Sequence, residues 1–565
     1  MRLAPHLLGL ASLAFCASVI AASTAGVAQR PAEHPPSSTA KPPPSAAHAA
    51  LDLSMFAPSS ECMSCHNNLV APGGGDVSIG ASWRGSIMAN AARDPYVIAS
   101  IRRETLDHPS RAAHIEDDCA ACHMPAARQM AQAAGSQAEV FAHLAGPVPA
   151  HASSTLARDG VTCTVCHQIA ADRLGMSGSF NGGFTVAAPL ASGKRRAFGP
   201  FAVDRGRQQI MHSATGFEQE QAPHIRQSEL CATCHTLVTE AIGPDGRTIG
   251  SLPEQMNYQE WRHSAFAAEA RSCQSCHMPR ASGPVRVSSV LGDYRDGVSR
   301  HTFLGGNVLM LRLLQRYRDA LGVEATPAEL EANARATEQQ LQESTAAIAI
   351  ERASAAGGMV TIDVAVRNLT GHKFPTGYPS RRAWLHLTVR DAQGGTLFES
   401  GRLTERGSIE GNDADADANA FEPHYRQITR SGEVQIFESI MGTPEGATTT
   451  ALLRATRYLK DNRLLPRGFE KRTADASIAV VGGAAGDDDF SGGGDRVQYQ
   501  IAVSGAASVE VELRYQPIAY RWAQNLKSYD AREPRAFVTY FESLAPSSSV
   551  LVTRASRAVD QAARP

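Results

Sequence analysis

The chain has 565 residues, of which 43% are hydrophobic and 19% are charged. At about 100–200 residues per domain this length predicts two to four domains, and the composition excludes disorder throughout. The formal net charge is −2, which argues against a nucleic-acid-binding protein, because such proteins are basic overall or on one face. No apolar run after residue 28 reaches the roughly 18 residues of a membrane span.

Residues 1–28 have the pattern of a secretory signal peptide: a short basic start, an apolar core and then small residues. We predict cleavage near Ala28, with Ala25 as the alternative. The apolar core is short and interrupted by serines, which argues against an uncleaved membrane anchor. Residues 29–50 are rich in proline, serine and alanine and are predicted to be an unstructured tether. The mature protein is therefore expected to be exported, most simply to the periplasm.

Ten of the eleven cysteines fall into five copies of one pattern, Cys-x-x-Cys-His. Chance would give roughly 0.007 copies in a chain of this composition, and each copy is a c-type haem attachment signature. The two thiols can add to the two vinyl groups of one haem, and the histidine that follows can bind the iron. Zinc sites and disulfides are the alternatives, but neither requires a histidine after every cysteine pair. We predict five covalently bound haems, attached at Cys62 and Cys65, Cys119 and Cys122, Cys163 and Cys166, Cys231 and Cys234, and Cys273 and Cys276, with His66, His123, His167, His235 and His277 as proximal iron ligands.

The predicted fold class is α+β multidomain, with a mainly α/loop multihaem cytochrome c domain followed by an all-β, sandwich-like domain. The haem domain is assigned to residues 51–322, with helices expected at 83–105, 253–270 and 304–321 and loops elsewhere. A connecting helix (323–346), the β domain (347–553) and a tail (554–565) follow.

Two kinds of local pattern support the C-terminal assignments. A capping box with proline at the first helical position, Thr326-Pro327-Ala328-Glu329, opens the connecting helix. Apolar residues then alternate, as in Val360 to Val366 and Val509 to Tyr515, which predicts strands and favours a sandwich. The acidic runs near Asp415 and Asp487 lack the glycine and glutamate of a calcium loop and are interpreted as solvated loops.

Five irons can take five further axial ligands, and eleven histidines lie outside the motifs and beyond the tether. Histidine on both sides of the iron is therefore expected for most haems. Met88 is a thioether candidate for the first haem, or else a core methionine. His386, in a predicted strand, is interpreted as structural. The candidate distal ligands, chosen for their position near a motif or in a constrained loop, are His301, His372, His151, His224, His114 and Met88.

The motifs also resemble a known family. Five Cys-x-x-Cys-His units, a Trp-x-x-Ser-x-x segment at Trp83–Met88 and another at Trp261–Phe266, and Cys-His-Met-Pro after two motifs look like the multihaem cytochromes of the cytochrome c-554 type, over roughly residues 55–320. In that family the last position of the Trp segment often carries a ligating histidine, where this chain has Met88 and Phe266. The resemblance implies stacked haems that pass electrons in the periplasm, and some relatives have an open, five-coordinate haem.

These observations favour an exported pentahaem c-type cytochrome that passes electrons between periplasmic or membrane redox partners. The alternative is a reductase or oxidase of small nitrogen or sulfur compounds at a five-coordinate haem, with the first haem the expected open one. A third interpretation makes the β domain a docking module. The expected partners are redox proteins, including a membrane quinol-oxidising or cell-surface electron-transfer complex, and no nucleic acid is expected.

Overall fold

The computed structural model describes residues 53–145 and 151–561. The predicted signal peptide and tether lie outside the described residues. The described chain contains both helices and sheets. Within it, no helix combines the length and the apolar character needed to cross a membrane.

The α-helices are short in the first half of the chain and longer in the second. They are α1 (Ser59–Met63), α2 (Ile79–Arg84), α3 (Pro95–Asp107), α4 (Ala112–His123), α5 (Pro125–Ala133), α6 (Val140–His143), α7 (Ala152–Arg158), α8 (Cys163–Cys166), α9 (Arg205–Thr215), α10 (Ser228–Ala232), α11 (Asn257–Arg262), α12 (Ala265–Ala268), α13 (Cys273–His277), α14 (Val308–Arg316), α15 (Arg318–Leu321), α16 (Pro327–Ser344), α17 (Asp413–Ala416), α18 (Tyr520–Asn525) and α19 (Arg532–Leu544).

The strands are concentrated after residue 345. They are β1 (Arg195–Gly199), β2 (Phe217–Gln221), β3 (Leu237–Ile242), β4 (Thr248–Gln255), β5 (Val285–Arg286), β6 (Tyr294–Arg295), β7 (Ala346–Ala356), β8 (Met359–Asn368), β9 (Arg382–Asp391), β10 (Thr396–Ser400), β11 (Gln427–Ile428), β12 (Ile436–Gly442), β13 (Thr448–Thr449), β14 (Arg457–Asp461), β15 (Gly494–Ile501), β16 (Ala506–Gln516), β17 (Val550–Ala558) and β18 (Asp560–Gln561).

The capping box is confirmed as the start of α16. The Thr326 side chain accepts from the backbone of Glu329, and the Glu329 carboxylate accepts from the backbone of Thr326. The helix expected at 83–105 is instead two helices, because α2 ends before Gly85 and α3 begins only at Pro95, where Asp94 caps it. The helices expected at 253–270 and 304–321 are broken in the same way.

The alternating residues of the C-terminal half form the predicted strands, in two sheets. One sheet has the order β11-β15-β8-β7-β18, and the other has the order β13-β12-β9-β16-β17 with β10 beside β9 and β14 beside β12. Apolar residues of both sheets, among them Val364, Leu387 and Val511, share one buried core. The two sheets therefore pack face to face, as in a sandwich.

Three features of the fold differ from the sequence expectation. Small two-stranded sheets, such as β3 with β4, occur where only helices and loops were expected. The region expected to be all-β includes α18 and α19, and Phe537 of α19 packs with Tyr96 of α3 and Leu313 of α14. Strand β17 runs to Ala558, into the predicted tail. The apolar face of α19 thus joins the two predicted domains through a common core.

The acidic runs interpreted as solvated loops contain buried carboxylates that bind side chains of other elements. Arg382 donates to both oxygens of Asp415, at 2.9 and 2.8 Å, and the two side chains are 1% and 4% exposed. Asp487 is likewise buried and accepts a hydrogen bond from His424. Side-chain partners from distant strands, absent from the local pattern, explain why the expectation was wrong.

Loss of the Asp415 carboxylate will destabilise the sandwich. Asp415→Ala leaves the Arg382 guanidinium buried without its counter-charge, so we expect a loss of about 3–5 kcal/mol. Denaturant unfolding followed by circular dichroism measures it. The exposed Asp417 is the control, and Asp417→Ala should stay within about 0.5 kcal/mol of the parent protein. Equal effects of the two substitutions would contradict the buried pair.

Candidate functional site

All five Cys-x-x-Cys-His motifs line one cavity of about 1410 Å³. Their ten cysteines form no disulfides. Residues from the first half of the chain and from the loop that contains His372, between β8 and β9, both line this cavity. Motifs that are far apart in sequence therefore share one chamber.

The motif histidines are oriented as metal ligands. The Nδ1 atoms of four of them lie beside backbone carbonyls, which can only accept a hydrogen bond, so Nδ1 carries the proton and Nε2 keeps its lone pair. Burial lowers the pKa of all five imidazoles, that of His235 to about 4, so each stays neutral. The Nδ1 contacts are His66 to Val287 (2.5 Å), His123 to Ala91 (3.1 Å), His167 to Phe198 (2.5 Å) and His277 to Leu304.

Two motif histidines face a second imidazole. The ring centroids of His167 and His301 are 6.3 Å apart with 17° between the planes, and those of His277 and His372 are 6.1 Å apart with 18°. A metal–imidazole bond is about 2.0–2.1 Å, so two imidazoles on opposite sides of one ion have their centroids roughly 6 Å apart. The residues present therefore fit a haem iron between each pair.

The facing histidines have the same protonation geometry as the motif histidines. His301 donates from Nδ1 to the carbonyl of Ser299 at 3.1 Å, and His372 donates to that of Lys373 at 2.9 Å. Burial lowers the pKa of His372 and lowers that of His301 to about 3. Each presents an unprotonated Nε2, which is the form that binds a metal.

The other four candidate ligands differ in their placement. Met88 and His114 line the cavity, but Nε2 of His114 pairs with Asp118 at 3.2 Å. His151 is exposed and outside the cavity lining. His224 is outside the cavity lining, and its Nε2 lies 2.8 Å from the carbonyl of Ile169. Proximity to a motif in sequence did not predict these side-chain orientations, and for His151 and His224 the structure does not support the interpretation as ligands.

Contacts between thiols show which motifs are neighbours. The thiol of Cys62 lies close to that of Cys163, that of Cys231 to that of Cys273, and that of Cys122 to that of Cys234, and Cys166 also lies near Cys234. The order in space is therefore first–third–fourth–fifth, with the second motif also beside the fourth. The fourth motif has three neighbours and forms the junction.

Two of these contacts are built in the same way. Ser59 precedes Cys62 by three residues, and its hydroxyl accepts from the backbone N–H of Cys163 at 3.3 Å. Ser228 precedes Cys231 by three residues and accepts from the backbone N–H of Cys273 at 3.1 Å. The first and third motifs and the fourth and fifth motifs thus form two similar units. The repeated Ser-x-x-Cys was visible in the sequence, but it was not singled out there.

Phe266 has a packing role at the position where the resemblance implies a ligand. It is buried, and its ring lies against Gly371, where an added Cβ would come within 3.0 Å of the ring atoms. The neighbouring histidine, His372, supplies the imidazole that faces His277. The β8–β9 loop therefore provides the ligand-type side chain that the Trp261–Phe266 segment lacks.

A second cluster of metal-ligand residue types, His424, Asp487 and Asp495, lies in the sandwich. Nδ1 of His424 accepts from Gln435 at 3.0 Å and also from the Asn462 amide, so the proton is on Nε2, which faces Asp487 at 3.1 Å. A protonated Nε2 cannot bind a metal. These groups are therefore a hydrogen-bonded core network.

No family model and no curated protein matches the chain. Among solved structures, the chain is similar to a penta-heme cytochrome c552 from Thermochromatium tepidum, with 17% sequence identity and a TM-score of 0.48 over 89% of this chain and 99% of that chain.

Proposed function

We propose that this protein is an exported pentahaem c-type cytochrome that carries electrons between redox partner proteins in the periplasm or at the membrane. The observation that carries the proposal is the lining of one cavity by all five attachment motifs. When bound, each haem supplies an iron that gains or loses one electron. The motif thiols and histidines of this chain hold the five haems side by side.

The facing imidazoles favour electron transfer over catalysis at two of the sites. His301 with His167 and His372 with His277 would each hold an iron between two imidazoles. An iron held in this way would have no free position for a substrate, which suits electron transfer better than catalysis. The signal-peptide pattern of residues 1–28 supports export, and the partners are expected to be redox proteins.

Haem content tests the central claim. After export in a host that matures c-type cytochromes, intact mass should exceed the mass of the cleaved polypeptide by five haems, and the pyridine haemochrome assay should give five per chain. Acidic butanone should extract none, because thioether bonds are covalent. Three or fewer haems, or extractable haem, would contradict the proposal.

Two buried glutamates that line the cavity, Glu104 and Glu254, favour a second candidate function. This candidate is a haem-dependent reductase or oxidase of a small polar compound. Oε1 of Glu104 accepts from the backbone N–H of Leu452 at 2.8 Å and from the Arg103 guanidinium at 2.6 Å, while Oε2 has no hydrogen-bond partner among the described residues. Burial raises the pKa of nearby Glu254 to about 7. A carboxyl group that titrates near neutral pH suits general acid–base catalysis.

Electron paramagnetic resonance of the oxidised protein separates the two candidates. The carrier should show low-spin signals that nitrite, hydroxylamine and cyanide leave unchanged, without turnover of the first two. A stoichiometric high-spin signal that shifts with these compounds would replace the carrier with the enzyme. Glu254→Gln should then lower turnover without removing the high-spin signal.

A further inference from the structure

The loop that contains His372 is held by a ring of buried, paired charged residues. These residues come from the sandwich and from the segment between the fourth and fifth motifs (the haem segment). Glu260 of α11 is fully buried. Its Oε2 accepts from the backbone N–H of Lys373 at 3.1 Å and from the Thr376 hydroxyl at 2.5 Å. One carboxylate therefore binds the loop at two points just after His372.

The ring continues through two residues of the sandwich. Arg463 pairs with Glu260 at 3.0 Å and donates to both oxygens of Asp461, at 2.8 and 2.7 Å. The ammonium of Lys373 donates to Asp461 at 2.7 Å. Two cations and two anions are thus paired, and the backbone N–H of Lys373 links the network back to Glu260. Such pairing is what makes buried charges tolerable.

Lys373 links this ring to the imidazole. Its N–H binds Glu260, its ammonium binds Asp461, and its carbonyl accepts from Nδ1 of His372 at 2.9 Å. That last hydrogen bond fixes the tautomer and the ring plane of His372. In metal sites, such outer partners orient the ligand and tune its basicity.

We propose that Glu260 is a positioning residue for His372, which it holds against His277 through the peptide of Lys373. This rests on the proposed function, because it requires a haem between the two imidazoles. Glu260 belongs to the segment between the fourth and fifth motifs, so the haem segment itself selects the position of a ligand from the β8–β9 loop. The ring thereby links the folded sandwich to the spin state and midpoint potential of one haem.

Glu260→Gln tests the proposal in the full, haem-loaded protein. We expect all five haems to remain attached, one low-spin signal to lose intensity to a high-spin signal, and one haem to change its midpoint potential. Added imidazole should restore the low-spin signal, which a merely structural role would not predict. The control is Glu269→Gln, in the same segment, which removes the pairing of a half-exposed carboxylate with Arg467 and should change none of these.

A second variant protects the test from misfolding. Thr376→Val preserves the shape of the side chain and removes only the hydroxyl that binds Glu260, so the same changes are expected at smaller amplitude. Unchanged spectra and potentials in both variants would overturn the positioning role, as would an equal change in all haems. If His372→Ala also leaves the spectra unchanged, the ligand assignment fails; if only the Glu260 and Thr376 variants do, the positioning role alone fails.

Discussion

His372→Ala will convert one low-spin haem to a high-spin haem while all five remain attached. The imidazole of His372 lies 6.1 Å from that of His277, centroid to centroid, and alanine offers the iron no donor. Attachment depends on Cys273 and Cys276, which the substitution does not touch. Visible absorption and electron paramagnetic resonance of the oxidised protein measure the spin state, and intact mass measures attachment.

Two other histidines make this test specific. His301→Ala should give the same change at a different haem, because His301 faces His167, and the double variant should convert two haems. His386→Ala is the control in the same sandwich, since His386 binds Glu399 at 2.9 Å and lies outside the cavity lining. Low-spin spectra identical to the parent in all three single variants would show that His301 and His372 are packing residues.

Removing the fourth attachment site will divide the electron path. In the variant Cys231→Ala/Cys234→Ala we expect one haem fewer and a reduction time course that splits into separate phases. The reason is that thiols of the second, third and fifth motifs all lie near those of the fourth. Stopped-flow absorbance during reduction by dithionite or by a redox partner measures the phases.

The first attachment site provides the matched comparison. Cys62 of the first motif lies close to Cys163 of the third motif, and we identify no contact of the first motif with the remaining motifs among the described thiols. Cys62→Ala/Cys65→Ala should therefore also remove one haem but leave the other four connected. Circular dichroism should show both variants folded. The same number of phases in the two variants would contradict the fourth motif as the junction.

His235→Met, which keeps both thioether bonds, should raise the potential of one haem, because methionine ligation raises it relative to histidine.

The haem ligands show where sequence reasoning reached its limit. His372 and His301 were chosen because of their surroundings in the chain, and the structure brings both opposite a motif histidine. His224 was chosen because it precedes a motif, yet its Nε2 is bonded to Ile169. Nearness in sequence does not fix the direction of a side chain, because rotamers and backbone partners decide it.

The sequence by itself determined the attachment chemistry, because the thiols and the proximal histidine of each motif are neighbours in the chain and need only one helical turn to come together. It also determined strands such as β8 and β16 from alternation, and the start of α16 from its capping box. Only the tertiary structure decided which motifs are neighbours, which imidazoles face them, and that Glu260 reaches Lys373. Those contacts join residues from distant parts of the chain, and they form only when α19 and the β8–β9 loop pack against the haem segment.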